Sequence, residues 1–131
     1  MKAVKTFKIL FITTLLLIPS LTFAKSQVKA SRIIDQINAG KTVQYKDAEI
    51  VGNLDFTSIK DVTLDKESKR NRRWSKSSTL TYWCHVRSLV SFINCVFKGD
   101  VLAYVHDDDE NETHNAIFYK DVNFQGCDFQ G

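Results

Sequence analysis

The apolar residues of this chain follow three patterns in succession, and each predicts a different element. The first is a dense run, Ile9 to Ile18, preceded by Lys2, Lys5 and Lys8 and ended by Pro19-Ser20. With Thr22-Phe23-Ala24 after it, this is the order of a secretory signal peptide, and cleavage is expected after Ala24. A bilayer crossing needs roughly 20 apolar residues, so no membrane span is expected once residues 1–24 are removed. The second pattern is helical. Ile33, Ile34 and Ile37 share one face over Ala30 to Ala39, and Gly40 supplies a C-terminal stop. The third is a period of two that keeps slipping. Val43 with Tyr45, Ala48 with Ile50, Leu54 with Phe56 and Val62 with Leu64 each place two side chains on one side of an extended segment. The phase shifts between these pairs, so the chain is expected to wrap rather than run straight.

Two stretches in the second half sharpen that expectation. Val90-Ser91-Phe92-Ile93-Asn94 and Cys95-Val96-Phe97-Lys98-Gly99 return 32 residues later as Val122-Asn123-Phe124-Gln125-Gly126 and Cys127-Asp128-Phe129-Gln130-Gly131. A period of five matches neither the helix at 3.6 nor the strand at two. Each five therefore reads as a short straight segment plus a corner. Recurrence at a fixed offset marks stacked repeat units.

On these residues the chain resembles the pentapeptide-repeat proteins, whose motif is a small residue, then Leu or Phe, then two variable positions. Val90 with Phe92, Cys95 with Phe97, Val122 with Phe124 and Cys127 with Phe129 fit the inward positions; Ala48 with Ile50 and Leu54 with Phe56 fit more loosely. The resemblance implies an all-β chain, a short right-handed pentapeptide-repeat-like β-helix of about three coils over residues 25–131, with the Ala30 to Ala39 helix as its N-terminal cap. The helix together with Tyr45 to Phe56 is similar to the start of secreted bacterial members, which implies an exported protein of the periplasm, envelope or medium. On a turn of four fives, about 20 residues, the 32-residue offset leaves an excursion near 106–115, and the 36 residues from Phe56 to Phe92 leave another near 66–78. Gly131 follows the last five with nothing helical after it, so a second copy or another partner is expected to cover this end, or the chain is a shortened version of a longer repeat protein.

Charge changes the picture in two places. The chain has 18 Lys+Arg against 15 Asp+Glu, and the whole excess of +3 sits in the three lysines of residues 1–24. What remains is neutral and lacks the basic footprint of a nucleic-acid binder; a neutral surface and an export leader also argue against a cytosolic DNA mimic. The two excursions, however, carry opposite charge. Lys66, Lys69, Arg70, Arg72, Arg73 and Lys76 surround Trp74 in one, a candidate surface for an anionic partner such as an acidic glycan, or a solvated loop. Asp107, Asp108, Asp109 and Glu110 crowd the other. They form a candidate Ca²⁺ loop without the EF-hand pattern, so a solvated loop is the favoured reading. If both excursions leave the same side, they pair with each other.

Cys84, His85, His106 and His114 invite a zinc or nucleophilic reading. Yet no pair has structural-zinc spacing, and Cys84 and His85, being adjacent, point to opposite faces of an extended segment. Cys95 and Cys127 hold equivalent positions and read as buried thiols, leaving Cys84 odd. No catalytic motif and no cofactor site is recognised. The expected function is therefore an exported, non-enzymatic β-helical scaffold or interaction protein. The alternative is a carbohydrate-binding or carbohydrate-active protein using Trp74, Tyr82, Trp83 and Tyr104 as aromatic platforms for an acidic glycan.

Overall fold

A computed structural model describes residues 25–131; the leader and its cleavage point at Ala24 lie outside the described residues. Among the described residues the chain is mostly β-strand with two α-helices. It opens with β1 (Ser26–Lys29), α1 (Ala30–Asn38), β2 (Val43–Lys46), β3 (Ala48–Val51) and β4 (Leu54–Asp55), followed by a 3₁₀ turn over Phe56–Ser58 and β5 (Val62–Leu64). Next come α2 (Lys66–Trp74), β6 (Leu80–Val86), β7 (Val90–Ile93), β8 (Val96–Phe97) and β9 (Val101–Leu102). The hairpin strands β10 (Tyr104–Asp107) and β11 (Glu112–Phe118), then β12 (Val122–Gln125) and β13 (Asp128–Phe129), complete it.

The helix expected over 30–39 is present. Ala30, Ile33 and Ile37 form its buried face. It ends because Gly40, at φ 71°, takes the left-handed conformation, with Gly40 N donating to Ile37 O and Lys41 N to Gln36 O.

The strands fall into four sheets, ordered β1-β3-β8-β13, β12-β7-β2, β4-β9 and β10-β11-β6-β5. Six of the seven parallel pairings among the described strands share two offsets; β1 on β3, Ser26↔Ala48, is the exception. From β2, β3 and β4 to β7, β8 and β9 the parallel partners are Val43↔Val90, Ile50↔Phe97 and Leu54↔Val101, a constant 47 residues. From β6, β7 and β8 to β11, β12 and β13 they are Cys84↔Ala116, Phe92↔Phe124 and Phe97↔Phe129, a constant 32. In these sheets later strands lie in parallel on earlier ones, and side chains of equal position meet in columns. Phe92 stacks between Tyr45 at 6.1 Å and Phe124 at 5.4 Å, and Phe97 stacks on Phe129 at 5.0 Å. Cys95 and Cys127 donate equivalent Sγ–H bonds to the rung before, to Tyr45 O and Phe92 O.

The corners fall in columns too. Asp47, Asn94 and Gly126 all hold left-handed backbone, at φ 53°, 52° and 65°. A Cβ on Gly99 would lie 2.5 Å from Gly52 O, and one on Gly131 2.2 Å from Gly99 O, so close passage of neighbouring rungs requires glycine here.

Two expectations need correction. Phe92 is not the partner of Phe56; it pairs with Tyr45. Phe56 lies past the β4 corner, buried on the 3₁₀ turn with its ring edge-on to Phe118 at 5.0 Å. The 36-residue count therefore joined two different faces, and the real offset is longer because β5 and α2 intervene before β6. Second, Lys66 to Trp74 is not a loop but a helix: the Asp65 carboxylate caps it by accepting from Ser68 N at 2.8 Å, and Arg72 and Arg73 end it where cations favour the dipole.

The buried core runs through Val43, Ala48, Ile50, Leu54, Phe56, Val90, Phe92, Cys95 and Phe97. Val122, Phe124, Cys127 and Phe129 hold the same columns but are only partly covered. Phe129 is 53% exposed and Val122 38%.

Candidate functional site

The four-stranded sheet β10-β11-β6-β5 has one face on the core and one in solvent, and strand alternation decides which residues are presented. Cys84 and Val86 of β6 are fully buried, so Thr81, Trp83 and His85 project outward. Register extends this across the sheet. Thr63, Trp83, Asn115 and Tyr104 form one row; His106, Thr113 and Thr81 form the next. The face is polar and aromatic, and Tyr104 is 58% exposed.

At one end of this face His85 is held from both sides. Its Nε2 lies 2.7 Å from Thr63 Oγ1 and its Nδ1 2.6 Å from the Tyr119 hydroxyl, so in the neutral ring one nitrogen donates and the other accepts. The Arg87 guanidinium stands 4.6 Å over the Tyr119 ring, and Arg87 Nε donates to Asp61 Oδ2 at 2.8 Å. That hydrogen bond pushes the arginine pKa up. Beside them opens a cleft of about 370 Å³ between the end of α1, the Ile59-Lys60-Asp61 segment and β6. Asn38 Oδ1 accepts from Lys60 N at 2.8 Å and ties two of its walls together. Asp61, Arg87, Lys60 and Tyr119 carry no motif in the sequence; only the strand pairings bring them to one place.

The two charged excursions lie side by side, as one of the expectations had it, but charge does not join them. Asn111 does: its Nδ2 donates to Ser77 O at 2.9 Å, its Oδ1 accepts from Thr79 Oγ1 at 2.9 Å, and its O accepts from Leu80 N at 3.1 Å. Arg72 Nη2 reaches Glu110 O at 3.4 Å, while its buried Nη1 has no partner among the described residues. No ion pair links α2 to the acidic run among the described residues. Lys69, Arg70 and Arg73 are exposed, and Trp74 is 87% exposed.

The candidate Ca²⁺ loop is a hairpin turn. Asp107 Oδ1 accepts from Asp109 N at 2.9 Å and Glu110 N at 3.1 Å, and Asp108 pairs with His106 at 3.2 Å. Asp107 and Asp108 are thus engaged within the turn itself. Among the described residues no group of three His, Cys, Asp or Glu side chains is placed to hold a metal ion.

Tyr82, named with Trp83 and Tyr104 as a platform, faces the other way. It stacks on His114 at 4.7 Å, and its hydroxyl donates to Glu112 at 3.5 Å; burial and then that carboxylate push its pKa up. Cys84 and His85 do point to opposite faces. Burial, followed by the Asp55 charge, pushes the Cys84 thiol up, away from the thiolate needed of a nucleophile. Cys84, Cys95 and Cys127 are all free thiols. No helix among the described residues is long and apolar enough to cross a membrane. No family model, curated protein or solved structure matches the chain.

Proposed function

We propose that the chain is an exported, non-enzymatic scaffold of the envelope or medium, built as a short right-handed β-helix of the pentapeptide-repeat kind with α1 as its cap, and that it acts by binding through its last rung. The observation that carries this reading is the contrast between equivalent positions. Val90 and Phe97 are fully covered, whereas Val122 and Phe129, one rung on, leave 38% and 53% of their surface in water. β12 and β13 are also each paired on one side alone among the described strands, and an open ladder edge over exposed apolar side chains is a template for another chain. A second copy supplies a matching edge.

Light scattering with size-exclusion chromatography on residues 25–131 tests it. A dimer is expected, weakened by Phe129→Lys and indifferent to reductant, because Cys84 is buried and all three thiols are free. A monomer at every accessible concentration would remove the last rung from the account.

A second reading is favoured by the sheet face. The row Thr63, Trp83, Asn115 and Tyr104 offers aromatic rings flanked by hydroxyl and amide groups, which suits a glycan.

A further inference from the structure

The cleft beside His85 carries the glycan reading further, to a defined subsite. Its floor is apolar, made by Ile37 and Ile59, which are 7% and 4% exposed. Its rim is polar and mixed in kind: Lys60 and Arg87 donate only, whereas Asp61 accepts only. A sugar ring matches both halves. Its C–H face is apolar, and every hydroxyl both donates and accepts, so adjacent donor-only and acceptor-only groups satisfy it together.

Charge narrows the class. Arg87 and Asp61 neutralise each other at 2.8 Å, whereas Lys60 belongs to no ion pair among the described residues. One uncompensated cation is left at the mouth, and the fitting occupant carries one anionic group on a sugar-like body. Its size agrees, since about 370 Å³ lies near the lower end of the roughly 300–1,000 Å³ of small-molecule sites. Rigidity agrees as well: Asp61 and the Tyr119 ring fix Arg87, and Asn38 fixes the backbone of Lys60. Position decides the rest. Thr81, Trp83, His85 and Arg87 follow one another at every second residue of β6 and just beyond it, so the outward stripe that carries Trp83 leads to the cleft.

We propose that this cleft is a subsite for a uronic-acid unit, with the carboxylate at Lys60, the hydroxyls on Arg87 and Asp61, and the following sugars lying over Trp83. The proposal rests on the glycan reading, and its test separates the two. A short oligogalacturonate and a short neutral galacto-oligosaccharide are titrated into residues 25–131, with binding followed by calorimetry and by the methyl resonances of Ile37 and Ile59. Oligogalacturonate is expected to bind more tightly and to shift both methyls. Lys60→Gln, at an exposed position, is expected to weaken it about tenfold, the loss of roughly one charge-assisted contact, while leaving the neutral sugar unchanged. Trp83→Ala is expected to weaken both. Saccharide binding that depends on Trp83 but ignores Lys60 and leaves the isoleucine methyls still would overturn the subsite and keep the glycan face. No binding of either saccharide would overturn both.

Discussion

Phe92 and Phe129 occupy the same place in the five-residue motif and both touch Phe97 and Phe124, yet they differ in how far they are covered. Phe92 has a ring above and a ring below it and is fully buried; Phe129 stacks on Phe97 and packs beside Phe124, but 53% of it is exposed. Phe92→Ala is therefore expected to cost about 3–5 kcal/mol, transfer plus cavity. Measured on the monomer, at concentrations below dimerisation, Phe129→Ala should cost about 1 kcal/mol, because half of the ring is already hydrated there. Urea denaturation of both variants checks this, and equal costs would contradict the rung order. The sequence alone marks both as inward, since a motif reports direction and not depth. The left-handed corners at Asp47, Asn94 and Gly126 are illegible for a related reason: three different residue types fill one backbone conformation, and Asp or Asn tolerates it well enough to hide the pattern.

At the scale of elements, periodicity is readable where burial is one-sided and fails where tertiary contact decides. α1 shows its isoleucine face plainly. α2 has almost none, since Ser68 is its single buried residue, so a run of charges reads as a solvated loop. The available signal was Asp65, three residues before Ser68, with no Gly or Pro through Trp74. Ser68 also binds the helix to the sheet, because its Oγ accepts from Thr81 N at 3.1 Å. Asp65→Ala is expected to cost about 1 kcal/mol and to speed amide exchange through the first turn of α2. Unchanged exchange there would mean that the cap does not hold the helix. The acidic run 107–110 was likewise legible as exposed but not as a hairpin. Its geometry depends on the left-handed Asn111, at φ 51°, and on that residue's bonds to Ser77 and Thr79, more than 30 positions earlier in the chain.

For the whole molecule, the 32-residue offset was legible because the two copies share their small and Phe positions, whereas the 47-residue offset was not. Its first rung reads Val43, Tyr45, Ala48, Ile50 and Leu54 against Val90, Phe92, Cys95, Phe97 and Val101, and only Val43 repeats its partner's residue. Side-chain volume matched to its column matters more to the stack than identity of sequence, so Phe56 looked the better partner for Phe92 than Tyr45. The outward face and the cleft were legible only as separate residues. Trp83 and Tyr104 stood out as aromatics, but nothing in the sequence brings Asp61, His85, Arg87 and Tyr119 together.

Every functional reading here depends on that register. Two-dimensional nuclear Overhauser spectroscopy on residues 25–131 tests it directly through the ring of Phe92. Contacts from Phe92 to both Tyr45 and Phe124, the rings at 6.1 and 5.4 Å, are expected. A Phe92 ring in contact with Phe56, and with neither Tyr45 nor Phe124, would contradict the stacked rungs and the surfaces that rest on them.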